Sequence, residues 1–340
     1  MHQRLTDRRP VVAPERLVAD LVPPPRFADV RFSTYLPDPD EPSQAAAVAA
    51  AEAFAGGITQ PVRRSWFRRL APPEGRAGVY FDGGFGVGKT HLLASIWHAA
   101  PAPKAYGTFV EITQLVGALG FAHAVQALAD HRLLCVDEFE LDDPGDTVLV
   151  STLLTRLAER GVRLAATSNT LPGRLGEGRF AAEDFLREIQ GLAARFDTVR
   201  VDGPDYRHRG VPRAPTPLTT EAVLARAEQE PGGTMDDWGA LLAHLAGLHP
   251  SRYGALLDGV RAVHLLDVAP VPDQTTALRV VVLADRLYDR AIPVVASGVP
   301  LDDLFDADML AGGYRKKYLR ALSRLVSLAR DAAATPQPTE

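Results

Sequence analysis

The chain has 340 residues, of which 46% are hydrophobic and 23% are charged, a composition typical of globular proteins with a large core. Its single cysteine, Cys135, excludes an internal disulfide and favours a buried thiol in a reducing compartment. The formal net charge of -5 argues against attraction of the whole surface to nucleic acid but leaves local basic patches open.

The sequence shows no sign of a membrane span. No run approaches the roughly 18 consecutive apolar residues that a spanning helix needs, and the first residues are charged and proline-rich rather than a hydrophobic signal core. We therefore expect a cytoplasmic protein without integral membrane association.

The first part of the chain alternates between proline-rich sequence and regular elements. Residues 1–60 form a proline-rich arm followed by an alanine-rich helix near Ser43–Ala55. Apolar strand patterns and helical patterns then alternate. The predicted strands are Gly78–Phe81, Ala105–Ile112, Arg132–Val136, Arg163–Thr167 and Thr198–Val201, and the predicted helices are Thr90–His98, Gln114–Ala129, Thr147–Arg160 and Ala181–Ala194. This rhythm predicts an α/β core over residues 61–205, with a five-stranded parallel sheet and helices on both faces.

Prolines after residue 203 indicate a linker, so residues 206–330 form a second region and residues 331–340 a disordered tail. An ungapped offset of 130 residues aligns Asp267 with Asp137 and Pro293–Ser297 with Arg163–Thr167, a weak internal repeat. This internal similarity reflects either a common β-loop-helix-β order of elements or a duplication of the sequence. Either origin predicts an α/β C-terminal region, and the missing second phosphate loop argues against hydrolysis there.

A phosphate-binding loop is the most specific motif. The residues Gly83, Gly84, Phe85, Gly86, Val87, Gly88, Lys89 and Thr90 fit G-x-x-x-x-G-K-[ST], follow an apolar strand and open a helix. Glycines allow successive N–H groups to point inward, and the helix dipole favours bound anions. We expect this loop, together with the following His91, to bind ATP, with Lys89 on the β- and γ-phosphates and Thr90 on Mg2+.

Two acids end the apolar run that precedes them. Asp137 and Glu138 follow a buried strand pattern, where a carboxylate can face the phosphate loop from the carboxyl edge of the sheet. Asp137 is predicted to hold Mg2+. Glu138 is predicted to orient or deprotonate the attacking water.

The next strand pattern ends in Thr167, Ser168 and Asn169. Asn169 is a candidate sensor that contacts the γ-phosphate or the water. The alternative is an asparagine that turns the chain before Pro172.

Phosphoryl transfer gains from a cation on the developing charge, often an arginine from a neighbouring subunit. Arg179, Arg187 and Arg195 are candidates, with surface ion pairs as the alternative for each. A cluster of arginines between Arg63 and Arg69, interleaved with Trp66 and Phe67, is either a solvated helix face or a phosphate-binding surface.

With these motifs, the chain resembles AAA+ P-loop ATPases, and within them the AFG-like family that includes the ZapE-type cell-division ATPases. The resemblance rests on Asp137 to Asp146, Thr167–Ser168–Asn169, Asp205–Tyr206–Arg207, Asp285 to Arg290 and Ser323–Arg324–Leu325. It implies an ATP-driven homo-oligomer, a ring, that acts in the cytoplasm at the division site on the tubulin-like protein FtsZ.

A DNA-handling ATPase similar to helicase loaders is the alternative function, because such proteins share the core; the net charge does not favour nucleic acid as a partner. The residues that bind adenine are also undecided at this point. Phe32, Tyr35 and Gln44 precede the loop and could cover the base, or the two aromatic residues could belong to the core.

Overall fold

The computed structural model describes residues 3–59, 77–84, 86–139, 144–169, 190–191, 193–203 and 213–334. The chain divides into two compact units. One comprises Ala13–Pro23 and Phe27–Arg209, and the other comprises Met1–Val12, Pro24–Arg26 and Gly210–Glu340. The first twelve residues therefore group with the C-terminal part of the chain rather than with the arm in which the sequence places them.

The larger unit contains a five-stranded parallel sheet, as predicted. Its strands are β1 Gly78–Gly83, β2 Lys104–Thr108, β3 Leu133–Asp137, β4 Arg163–Ser168 and β5 Phe196–Val201. Its helices are α1 Pro14–Ala19, α2 Pro42–Thr59, α3 Lys89–Ala99, α4 Phe109–Leu119, α5 Phe121–Leu128 and α6 Pro144–Glu159. The strand order is β2-β3-β4-β1-β5, which places β1 inside the sheet between β4 and β5.

Helices cover both faces of this sheet. Side chains alternate along each strand, so Tyr80 of β1 packs in the cluster formed with α4, α5 and α6, whereas its neighbours Val79 and Phe81 pack in the cluster formed with α2 and α3. Cys135 of β3 lies in the second cluster as a fully buried free thiol, as the sequence predicted. Near-continuous apolar strands follow from this burial on both faces.

The prediction for residues 105–129 was partly wrong. β2 ends at Thr108, and residues Phe109 to Ile112 belong to a helix rather than a strand. Thr108 caps this helix: its hydroxyl accepts a hydrogen bond from the Glu111 N–H at 3.2 Å, and the Glu111 carboxylate accepts one from the Thr108 N–H at 2.6 Å. Such a capping box starts a helix despite a run of β-favouring residues. Gly120, with a φ of 78°, then separates α4 from α5.

The C-terminal unit is also α/β, as predicted. Its strands are β6 Gly233–Asp237, β7 Ala262–Val268 and β8 Val294–Gly298, and its helices are α7 Thr220–Gln229, α8 Trp238–Ala246, α9 Tyr253–Leu256, α10 Gln274–Asp289, α11 Ala307–Ala311 and α12 Arg315–Ala334. The three strands are parallel, in the order β6-β7-β8. α12 continues to Ala334, so the first residues of the predicted disordered tail are helical; residues 335–340 lie outside the described part.

The beginning of the chain is part of this unit. Leu5 is fully buried in its core. The Leu5 N–H donates to the Asp236 carboxylate at 2.9 Å, and the Thr6 N–H and hydroxyl donate to its other oxygen at 3.0 and 2.9 Å. A buried carboxylate needs such donors, so Asp236 holds the first residues against β6.

The C-terminal unit repeats the order of elements of the larger unit. An offset of 130 residues maps both ends of α6 onto both ends of α10 and the end of β4 onto the end of β8. It also brings α3 onto α7 and β3 onto β7 to within one residue at each end. The order β6-β7-β8 corresponds to β2-β3-β4. The weak internal repeat of the sequence is therefore matched by topology over several consecutive elements.

Within the described residues, no helix is both long enough and apolar enough to cross a membrane.

Candidate active site

The glycine-rich loop leaves the carboxyl end of β1, an inner strand whose neighbours β4 and β5 are distant in sequence. Ligands of open α/β sheets bind at such positions. Gly86 and Gly88 have φ angles of 77° and 90°, which favour glycine because other residues are strained there. Gly88 directly precedes α3 and, as a glycine, has no side chain that could cap its first turn. The first N–H groups of α3 therefore favour an anion as their partner. Phe85 lies outside the described residues.

Lys89 connects the loop with the predicted sensor. Its side chain is buried, and Nζ donates hydrogen bonds to the Gly83 carbonyl at 2.9 Å, to the Gly84 carbonyl, and to Oδ1 of Asn169 at 3.0 Å. The partners of this buried ammonium group thus include three neutral oxygens. Phosphate oxygens carry more negative charge, so they can replace these partners with a gain in electrostatic energy.

Asp137 ends β3 and is 6% exposed. Its Oδ1 accepts hydrogen bonds from the Thr90 hydroxyl at 3.3 Å and from the Thr167 hydroxyl, and its Oδ2 accepts one from the Tyr106 hydroxyl at 2.7 Å. Burial, and then the charge of Glu138, raise the pKa of Asp137 despite these hydrogen bonds. A cation bound at this carboxylate would favour its charged form and lower this pKa.

Glu138 follows with a strained backbone. Its φ is 52°, a left-handed conformation that costs a non-glycine residue about 1 kcal/mol or more. Its N–H donates to Asp137 Oδ1 and to Thr167 Oγ1, both at 3.1 Å. Phe139 secures the turn, because its N–H donates to the Thr167 carbonyl at 2.7 Å and its ring packs in the core against Phe109. The turn therefore fixes Glu138 directly beside Asp137.

Sequence reasoning missed the contacts of three residues at or beside the site. Tyr106 and Thr167 both donate to the Asp137 carboxylate. Tyr106 looks like an ordinary strand residue, and Thr167 was noted only as part of the strand end Thr167–Ser168–Asn169. Asp82, one residue before the loop, is 1% exposed and pairs with Arg200 at 2.6 Å. Hydrogen bonds to Asp82 and Asp202 raise the pKa of Arg200. A charged residue at the end of a buried apolar run is the one signal that pointed to Asp82.

Of the three residues considered for the adenine pocket, two are buried and all belong to the larger unit. The Gln44 side chain donates to the Asp202 carbonyl at 2.9 Å and accepts from the Asp38 N–H at 2.9 Å. The Tyr35 hydroxyl donates to the Val87 carbonyl at 2.7 Å. Phe32 packs against the cluster that contains α2 and α3. The arm thus lies beside the phosphate loop.

Arg195 lies at the opposite edge of the sheet from the phosphate loop of its own chain. Its carbonyl accepts a hydrogen bond from the Gly78 N–H at the start of β1, and the loop begins after Gly83, roughly 16 Å further along the strand. The Arg195 guanidinium is 3.8 Å from the Glu159 carboxylate. A catalytic role for Arg195 would therefore require the site of a neighbouring subunit.

Several predicted features lie outside the described residues. They are the arginine cluster at 63–69, residues 140–143 of the acidic signature, Arg179 and Arg187 with most of the helix predicted at 181–194, and Asp205–Tyr206–Arg207.

The repeat preserves the hydroxyl–carboxylate contact of Thr90 with Asp137 but not the phosphate loop. At the offset of 130 residues, Thr220, Asp267 and Ser297 occupy the positions of Thr90, Asp137 and Thr167. The Thr220 hydroxyl donates to Asp267 Oδ1 at 2.8 Å, and the Asp267 N–H donates to Ser297 Oγ at 2.9 Å. Thr219 stands in the position of Lys89. The repeat therefore lacks the lysine of the phosphate loop.

The phosphate loop follows β1, an inner strand of a five-stranded parallel sheet, and Asp137 ends β3, which is separated from β1 by β4. This arrangement defines the class of AAA+ P-loop ATPases. Within that class the chain belongs to the AFG1-like ATPase family, whose sequence profile matches residues 11–228 and 211–335. It is an ATP-hydrolysing enzyme, and the resemblance found in the sequence is confirmed.

The chain is also similar to individual proteins. The cell division protein ZapE of Escherichia coli K12 is 27% identical over 293 residues, which cover 73% of this chain and 76% of ZapE. A Schizosaccharomyces pombe protein is 28% identical over 173 residues, which cover 43% of this chain and 38% of that protein. Among solved structures, DnaI is similar with a TM-score of 0.43 and 17% identity, over 56% of this chain and all of the DnaI chain.

Proposed function

We propose that this enzyme uses Mg-ATP hydrolysis to remodel a protein partner in cell division, and that this partner is FtsZ. The name of the Escherichia coli relative, cell division protein ZapE, supports the process, and the family resemblance supports FtsZ and a cytoplasmic location at the division site. One observation supports the chemistry most strongly. Lys89 donates a hydrogen bond to Asn169, and Thr90 donates one to Asp137, at the same edge of the sheet.

The first roles are those of nucleotide binding. The loop from Gly83 to Thr90, followed by His91, binds the phosphates, with Lys89 exchanging loop carbonyls for phosphate oxygens. Thr90 and Asp137 fit Mg2+, because a hydroxyl and a buried carboxylate oxygen lie 3.3 Å apart and such oxygens are the ligands that Mg2+ prefers. When bound, Mg2+ would neutralise charge on the β- and γ-phosphates.

The remaining roles concern hydrolysis. Glu138 accepts a proton from the attacking water or orients it, because its backbone is fixed next to Asp137. Asn169 senses the γ-phosphate, because it already contacts the lysine that the phosphate would engage. Arg195 or Arg179 supplies the cation from a neighbouring subunit of a homo-oligomeric ring.

The test is co-sedimentation with FtsZ polymers in the presence of ATP. We expect the wild-type protein to shift FtsZ from pellet to supernatant with ATP, and Glu138→Gln with ATP to leave the pellet unchanged. ADP serves as the nucleotide control. Equal FtsZ pellets with ATP, with ADP and without nucleotide would contradict FtsZ as the substrate and leave the ATPase assignment intact.

A further inference from the structure

A hydroxyl group of the arm donates a hydrogen bond to the phosphate loop. Tyr35 is 8% exposed, and its hydroxyl donates to the carbonyl of Val87 at 2.7 Å. Val87 lies inside the glycine-rich loop, two residues before Lys89. The hydrogen bond therefore joins a side chain far away in sequence to the backbone of the loop itself.

This hydrogen bond fixes the orientation of a peptide group. A peptide unit is planar and trans, so its C=O and N–H point in opposite directions. Because the Val87 carbonyl points to Tyr35, the N–H of Gly88 in the same peptide points away from the arm. Phosphate loops bind anions through N–H groups of this kind.

The Tyr35 ring also limits the shape of the loop. Gly88 has a φ of 90°, and a Cβ at this position would lie 2.4 Å from Cε2 of Tyr35. The ring thus occupies the space next to the glycine that directly precedes α3. A change in the conformation of Gly88 would have to displace a buried aromatic ring.

His91 holds the arm in this place. Its Nε2 is 3.0 Å from both the Arg31 carbonyl and the Thr34 hydroxyl oxygen. A carbonyl can only accept, and the Thr34 hydroxyl donates its own proton to the Arg31 carbonyl at 2.8 Å. Nε2 of His91 therefore carries a proton and donates to both oxygens. The His91 ring also packs edge-on against Tyr35, with centroids 5.4 Å apart.

A second contact lies further along α3, where Nε2 of His98 is 2.8 Å from the carbonyl of Phe27. The arm segment from Phe27 to Tyr35 is thus attached at both ends of α3 and at the loop. Such multiple attachment allows one hydroxyl to orient a loop peptide.

We propose that Tyr35 is a positioning residue for nucleotide binding, which holds the Val87–Gly88 peptide so that the Gly88 N–H faces the phosphates. This inference rests on the proposal that Gly83 to Thr90 binds the phosphates. Preorganised donors improve affinity because the loop need not be ordered when the ligand binds.

Tyr35→Phe tests the role, because phenylalanine keeps the ring over Gly88 and removes only the hydroxyl. Isothermal titration calorimetry with Mg-ADP measures affinity, and steady-state phosphate release measures turnover. We expect Kd for Mg-ADP and KM for ATP to rise about 3- to 10-fold, the effect of losing one net hydrogen bond. We expect kcat to change less than twofold, because Glu138 is untouched.

Tyr253→Phe is the matched control. The Tyr253 hydroxyl is also buried and donates to a backbone carbonyl, that of Leu245, at 2.9 Å in the C-terminal unit. Thermal unfolding reports the cost of each hydroxyl to stability. We expect both variants to lose stability and only Tyr35→Phe to lose nucleotide affinity.

The outcomes separate this inference from the site assignment. If the wild-type protein binds Mg-ADP and Tyr35→Phe binds it equally well, the positioning role is refuted and the phosphate loop stands. An equal loss of affinity in both variants would also refute it, because the effect would then be one of general stability. If the wild-type protein does not bind Mg-ADP, the site assignment and this inference both fail.

Discussion

The hydroxyl of Tyr106 on β2 donates a hydrogen bond to Oδ2 of Asp137 on β3 at 2.7 Å, and both side chains are buried. Burial, and then the nearby charge of Asp137, raise the pKa of Tyr106 well above its ordinary value. Tyr106 therefore stays protonated and acts as a donor. This contact fixes one carboxylate oxygen, while the other oxygen faces Thr90.

Tyr106→Phe should weaken the response to Mg2+. Without the donor, the buried carboxylate loses a hydrogen bond that favours its charged form, and its orientation is less fixed. We expect the Mg2+ concentration for half-maximal ATP hydrolysis to rise about 10-fold, in line with other partners of metal ligands. Phosphate release measured against Mg2+ concentration at saturating ATP gives the value.

Tyr318→Phe is the control for this substitution. Tyr318 is equally buried, but its hydroxyl finds no hydrogen-bond partner within the described part of the chain. Removing it should leave the Mg2+ response unchanged. A Tyr106→Phe enzyme with a wild-type Mg2+ dependence would show that this tyrosine does not support the metal site.

Asn169→Ala should impair hydrolysis more than binding. The variant loses the amide that contacts Lys89 at 3.0 Å, but Lys89 keeps the Gly83 carbonyl and can still reach phosphate. We expect turnover to fall about 100-fold, as when one preorganised polar group is removed from an active site, with Kd for Mg-ADP within threefold of wild type. Wild-type turnover in this variant would remove Asn169 from the sensor role.

Asp285→Asn should destabilise the C-terminal unit at neutral pH. Burial alone would raise the pKa of Asp285, but the charges of Arg320 and Arg324 hold it below the ordinary value. A folded pKa below the unfolded one gives stability that is present above pH 3.9 or so and is lost as the pH falls through the folded pKa. We expect the variant to lose about 1–3 kcal/mol at pH 7.

Urea denaturation followed by circular dichroism at descending pH checks this. The difference between Asp285→Asn and wild type should begin to shrink below about pH 4, where the carboxyl of the unfolded wild-type chain takes up a proton, and should disappear once the folded carboxyl is protonated as well. Asp308→Asn, which changes an exposed aspartate on α11, should differ from wild type by less than about 0.5 kcal/mol. A difference that persists unchanged into acid would contradict the charge-pair explanation.

Short-range signals in the sequence were sufficient to predict the five-stranded sheet and the phosphate loop. Gly83 to Thr90 combines a local conformational requirement with flanking elements that are visible in the sequence, and the buried run before Asp137 predicted β3. The predicted end of β2 was wrong for a reason that is also local: the strand ends at Thr108 and not at Ile112. A threonine followed three residues later by Glu111 is a capping box, and this signal was available but was outweighed by the apolar residues around it.

Contacts between distant residues could not be predicted in this way. Tyr106 binds Asp137 because β2 pairs with β3 in a particular register, and nothing in the residues around Tyr106 indicates that register. Tyr35 reaches Val87 only because the arm folds back over α3. Such pairings depend on tertiary packing, which a single sequence without homologues does not specify.

Glu138→Gln tests the central claim most directly, since it removes the charge of the proposed base and keeps the size of the side chain. The measurement is phosphate release at saturating Mg-ATP, together with Mg-ADP affinity by calorimetry. We predict that turnover falls at least about 100-fold while Kd stays within threefold of wild type. Turnover close to wild type would contradict the account, because hydrolysis would then proceed without Glu138.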